Sequence, residues 1–119
     1  MTFIIGGAYQ GKLDYAKEHF GLTEADIFEC TDDGALDLSK KCIHHFEQYT
    51  RYCFHNGMTE LPDFPEDAIV IMDDIFCGVV PIDQDIRLWR EHAGRMGAAV
   101  TRKADRVIRI FCGLPQVLK

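Results

Sequence analysis

The residues best equipped for chemistry stand near the start of the chain, in the stretch "GGAYQGKL" from Gly6 to Leu13. Gly6, Gly11 and Lys12 fit the spacing of a phosphate-binding loop, in which a glycine, four residues, a second glycine and a lysine precede Ser or Thr. Glycines permit a turn tight enough for backbone N–H groups to surround phosphate oxygens. The N-terminus of a following helix adds its dipole. The expected phosphate contacts are Gly6, Gly7, Ala8, Gly11, Lys12 and Leu13, with the Lys12 ammonium reaching the outer phosphates as a point charge. Leu13 breaks the pattern. The hydroxyl normally found at that position holds Mg²⁺, and leucine has none.

A second candidate is the pair Asp73-Asp74, which follows the apolar run "AIVIM" (residues 68–72). In nucleotide-binding sheets, ligands gather outside the carboxyl ends of the strands, and both the glycine loop and this pair are expected there. Either carboxylate could hold Mg²⁺ directly or through water, or could orient a substrate hydroxyl or accept its proton. His44-His45 offer metal-ligand chemistry as well. Read on a helix, however, adjacent side chains diverge by roughly 100°, so one should face the core rim and the other solvent.

These groups need elements to hold them. "TFII" (residues 2–5) reads as a buried strand entering the loop. "GKLDYAKEHFG" follows as a helix, with Gly21 as its stop. "DIFEC" (residues 26–30) is a weak second strand. The segment "ALDLSKKCIHHFEQYTRYCFHNG" has an amphipathic period placing Leu36, Ile43, Phe46 and Cys53 on one face, which predicts a long helix. After the Pro62 and Pro65 loop, residues 68–72 form the cleanest strand. "DQDIRLWREHAGRMGAAVTRKAD" is the clearest helix, with Ile86, Trp89, Ala93, Met96, Val100 and Ala104 on its core face; Gly94 and Gly97 suggest a close approach. "RVIRIFC" (residues 106–112) is a last strand, and "GLPQVLK" a tail. Helices alternating with buried-type strands predict an α/β fold with a parallel sheet of about four to five strands. With edges left uncovered, a homo-oligomer is expected.

The bulk properties fit one domain, residues 1–119. Net charge is −6, which argues against a nucleic-acid partner. Five scattered cysteines with no C-x-x-C pair argue against a disulfide framework or a zinc site. No run reaches membrane-spanning length. A cytoplasmic protein is the expectation.

The second half of the chain carries a more specific pattern: Gly78-Val79-Val80-Pro81, Arg87, Arg90-Glu91, Gly94-Arg95, Ala104-Asp105, Val107, Gly113 and Lys119, in that order. Together with "IIGGAYQGK" at the start, it resembles the adenosylcobinamide kinase / adenosylcobinamide-phosphate guanylyltransferase family of cobalamin synthesis. The resemblance implies a P-loop NTPase-like fold, ATP or GTP as nucleotide, and a corrinoid precursor such as cobinamide as phosphoryl acceptor. It assigns Lys12 and Asp74 to catalysis and Asp73 and Asp74 to a metal ion. The chain departs from the family at Tyr9-Gln10, Leu13 and Phe76. It is also shorter, with a central stretch missing, and no residues like those that flank the family's guanylylated histidine follow His44 or His45. A shortened kinase-like protein without the guanylyltransferase half is therefore expected. The alternative is a non-catalytic nucleotide-binding or assembly module that keeps only the fold.

Overall fold

The computed structural model describes residues 1–119. Strand β1 (Thr2–Gly6) leads through the glycine loop into helix α1 (Lys12–Phe20). Strands β2 (Ile27–Glu29) and β3 (Cys42–His44) precede helix α2 (Phe46–His55). Strand β4 (Ile69–Asp73), helix α3 (Gln84–Lys103) and strands β5 (Arg106–Phe111) and β6 (Leu114–Val117) complete the chain. All six strands form one sheet in the order β2-β3-β4-β1-β5-β6. Only the last pairing, β5 with β6, is antiparallel.

Successive strand residues supply opposite faces of this sheet. Phe3, Val70 and Val107 belong to the core under α2 and α3, with Phe46, Cys53, Trp89, Ala93, Met96 and Val100. Their neighbours Ile4, Ile71 and Ile108 belong to a smaller core under α1, with Ala16 and Leu22. Burial on both faces is why β1 and β4 read as continuous apolar runs rather than alternating ones. The registers Gly6↔Asp73 and Ile5↔Met72 bring the ends of β1 and β4 level. No helix is long and apolar enough to cross a membrane.

The α/β class and mostly parallel sheet are as the sequence implies, and the sheet gains two strands over the four that were placed. The helix expected across residues 35–57 is shorter. Cys42–His44 instead forms β3, slotted between β2 and β4. Three buried residues inserted in a sheet interior gain more from ladder pairing than from extending α2 by one turn. The tail forms β6, a hairpin partner turned through Cys112 and Gly113, both at positive φ. The core face of α3 is as predicted, and Asp83 caps it by accepting a hydrogen bond from the Ile86 amide at 3.1 Å. The crowding expected at Gly94 and Gly97 is absent. A Cβ there would meet Phe76 and Met72 at 3.7 Å, which is ordinary contact.

Candidate functional site

The glycine loop is anchored at both ends and free in the middle. A Cβ on Gly6 would lie 2.4 Å from the Ile110 carbonyl oxygen, so only glycine lets β1 and β5 approach this closely. At the far end Gly11 sits at φ 90°, immediately before α1. The Gln10 carbonyl accepts from the Gly113 amide at 2.8 Å. Its side-chain oxygen accepts from the Cys112 amide at 2.5 Å. The loop is thus clamped to the β5–β6 turn. The amides of Gly7, Ala8, Tyr9, Gln10 and Gly11 donate to no carbonyl or side chain of the protein, and the Tyr9 side chain is fully exposed. Uncommitted amides at a helix N-terminus are what an anion requires.

Lys12 is buried, 5% exposed. Its Nζ donates to the Gly7 carbonyl at 2.6 Å and pairs with Asp73 Oδ1 at 2.7 Å. The lysine of the loop and the first acid of the β4 pair are therefore in direct contact. Asp74 stands on the other side of the loop. Its amide donates to the Gly6 carbonyl at 3.0 Å, and its Oδ1 lies 3.8 Å from where a Cβ on Gly7 would be. Leu13 packs at the rim of the smaller core, so its side chain is spent on packing and offers no oxygen to the site.

The opposite wall was not foreseen. His44 and His45 do not share a helix. His44 ends β3, and His45 is the left-handed residue, at φ 56° and ψ 45°, that turns the chain into α2. That backbone breaks the alternation of a strand and brings both rings to one side, with centroids 3.9 Å apart. The expected contrast in exposure holds: His44 is nearly buried and His45 is partly exposed. The expected divergence does not. His44 Nδ1 is 2.6 Å from Glu29 Oε1, and His45 Nδ1 is 3.2 Å from Glu47 Oε2.

Glu47 was missed entirely. Only 1% exposed, it accepts from the Asp73 amide at 2.8 Å through Oε1. It thereby links the histidine wall to the lysine wall. Burial pushes its carboxyl pKa up, against the lowering effect of the Asp73 amide. Burial likewise pushes the His44 imidazole down, outweighing the pull of Glu29, so His44 is held neutral near pH 7. The burial of Glu47 left no sequence signal, because adjacent helical side chains diverge by roughly 100° and its place beside Phe46 does not put it on the same face.

Between the two walls lies a cleft of about 430 Å³, lined by Ala8, Tyr9, Gly11, Lys12, His44, His45 and Asp73 among others. A second cavity of about 580 Å³ opens around Met1 and Asp105 at the opposite sheet end, away from these groups. Two arginines of α3 play structural parts. Arg90 donates to the Val79 carbonyl at 2.6 Å and Arg87 to the Ile82 carbonyl at 2.6 Å, holding the loop after β4.

Residues 28–118 match the model of a family described as cobinamide kinase / cobinamide phosphate guanyltransferase. The matched span contains both histidines, Glu47 and Asp73-Asp74, and begins after the glycine loop. No curated protein matches the chain.

Proposed function

The chain belongs to the cobinamide kinase / cobinamide phosphate guanyltransferase family, and from that premise we propose that it binds ATP or GTP on the loop Gly6–Leu13. It would pass the terminal phosphoryl group to a hydroxyl of a corrinoid precursor in cobalamin biosynthesis. The observation that carries this reading is Lys12: an ammonium nearly out of water, beneath five uncommitted amides, at the carboxyl ends of two adjacent strands.

In this reading Gly6, Gly7, Ala8, Gly11, Lys12 and Leu13 form the phosphate cradle. Lys12 exchanges its bond to the Gly7 carbonyl for a phosphate oxygen while Asp73 keeps its charge oriented. Asp74 faces the acceptor hydroxyl and takes its proton as the new O–P bond forms and the bond to the bridging oxygen breaks. Phosphoryl transfer relies on positioning and charge neutralisation, and the clamped loop supplies both. A Mg²⁺ ion would draw on the carboxylates of Asp73 and Asp74, which stand on different sides of the loop, and would find no loop hydroxyl, so the residues present fit it only in part. When bound, such an ion would neutralise charge on the bridging oxygens.

One observation favours the non-catalytic alternative. Leu13 deprives the loop of its metal hydroxyl, while Asp73 is already paired with Lys12. The two readings separate by mixing the purified chain with ATP or GTP, with and without Mg²⁺ and cobinamide, and following binding and turnover. Mg²⁺-dependent phosphorylation of cobinamide supports the kinase. Binding indifferent to Mg²⁺ with no turnover supports the module. Absence of nucleotide affinity contradicts both.

A further inference from the structure

The histidine wall is built more elaborately than phosphate binding requires. We propose that Glu29, His44 and His45 form a binding site for a divalent transition metal of the Zn²⁺ type, on the wall of the cleft facing the glycine loop.

Two independent features of the fold converge on these side chains. Parallel pairing of β2 with β3 sets Glu29 level with His44, which places the carboxylate against the first ring. The left-handed backbone at His45 swings the second ring onto the same side. Residues other than glycine rarely adopt that conformation. One ligand atom from each residue then lies within 4.8 Å of the other two. Tetrahedral coordination at the usual metal–nitrogen and metal–oxygen distances needs about 3.3 Å between ligands; small side-chain rotations open the Glu29–His44 pair from 2.6 Å and draw His45 in. Two imidazoles and one carboxylate are a donor set for Zn²⁺ or Fe²⁺, whereas Mg²⁺ and Ca²⁺ prefer oxygen alone.

The surroundings support a cation. His45 Nδ1 is oriented by the buried carboxyl of Glu47, the outer-shell partner that fixes a ligand's tautomer and leaves Nε2 available. The ion would displace the proton shared between His44 Nδ1 and Glu29 Oε1, releasing it to solvent. His45, Glu47 and Asp73 also lie within 4.8 Å of one another by their ligand atoms, and Asp73 touches Lys12. Three carboxyl groups therefore gather around the two rings against a single ammonium. Three protein ligands leave a coordination position for water or for a phosphate oxygen in the same cleft. Such an ion is held from the histidine wall, so no loop hydroxyl is needed to hold it.

The test uses the metal alone. The full chain, freed of any purification tag and stripped with chelator, is titrated with Zn²⁺ by calorimetry and with Co²⁺ by visible absorption. One equivalent should bind, with Co²⁺ giving the intense bands of a low-coordinate site. Glu29→Gln and His45→Gln should each weaken binding at least tenfold and together abolish it. His19→Gln and the double change Cys77→Ser with Cys112→Ser should leave it unchanged. Melting curves establish that the variants fold; Glu29 is exposed at a sheet margin, so its variant carries the test even where the His45 variant is destabilised. Failure of wild type to bind one equivalent, or undiminished binding by the Glu29/His45 double variant, overturns the proposal. Loss of binding in the serine variant does so too, by assigning the metal to the thiols. No nucleotide is present, so the outcome is independent of whether the glycine loop binds one.

Discussion

The two walls of the cleft are made by different means. The lysine wall is backbone: a glycine turn pinned between β1 and the β5–β6 hairpin, with amides left free and one ammonium beneath them. The histidine wall is side chain: two imidazoles and two carboxyls from β2, β3 and α2, aimed by one left-handed residue. Glu47 joins them through the Asp73 amide. A backbone wall tolerates changes of side chain but no added Cβ at its tight point. A side-chain wall tolerates small backbone shifts but no loss of a buried partner. Substitutions on the two walls should therefore fail in different ways.

The largest effect is expected at Gly6. Gly6→Ala forces a methyl against the Ile110 carbonyl, and because both partners are backbone in adjacent strands, nothing flexible can yield. A loss of about 3 kcal/mol or more is expected, read as a fall in Tm. On the opposite wall, Glu47→Ala strips the Asp73 amide of its acceptor inside the core; a buried donor left without a partner costs about 1–3 kcal/mol. Glu47→Gln keeps an amide oxygen for that donor and should recover most of the loss. Equal damage from both Glu47 variants would show that charge, and not the hydrogen bond, joins the walls.

Lys12→Ala should spare the fold more than it spares binding. Removing a charge-assisted contact worth about 1.5–3 kcal/mol weakens nucleotide affinity by about one to two orders of magnitude, measured by calorimetry. The histidine wall responds instead to pH. His44 is held below its ordinary value of 6.5 by burial. The unfolded chain thus takes up a proton that the folded chain resists, and stability falls as pH drops below about 6.5. Denaturant midpoints between pH 7 and pH 5 should show this loss, and His44→Gln should flatten it. The smallest effect is expected at Leu13: Leu13→Ser returns a hydroxyl to the loop, and nucleotide affinity should become a few-fold more dependent on Mg²⁺.

The two walls also differ in how far the amino-acid order discloses them. The glycine loop is legible because its chemistry is local: strand, glycines, lysine and helix follow one another within a short stretch. Asp73-Asp74 is legible because β4 is an uninterrupted apolar run. The histidine wall joins residues 29, 44, 45 and 47 by sheet register and by one unusual backbone angle. Neither leaves a periodic trace. Cys42–His44 lies inside a segment whose apolar spacing suits a helix, and three residues are too few to show a strand period. β6 was hidden for a related reason: Gly113 and Pro115 make the segment read as a tail, although a proline on an edge strand costs no ladder bond.

The central claim is that the free amides of the opening loop close around an anion above Lys12. The most direct measurement is an amide-resolved nuclear magnetic resonance titration of the labelled chain with ATP or GTP. The account predicts that the signals of Gly7, Ala8, Gly11 and Lys12 shift first and saturably, and that Lys12→Ala removes the response. Saturable shifts confined to residues elsewhere, or a loop that stays unchanged at millimolar nucleotide, would contradict it.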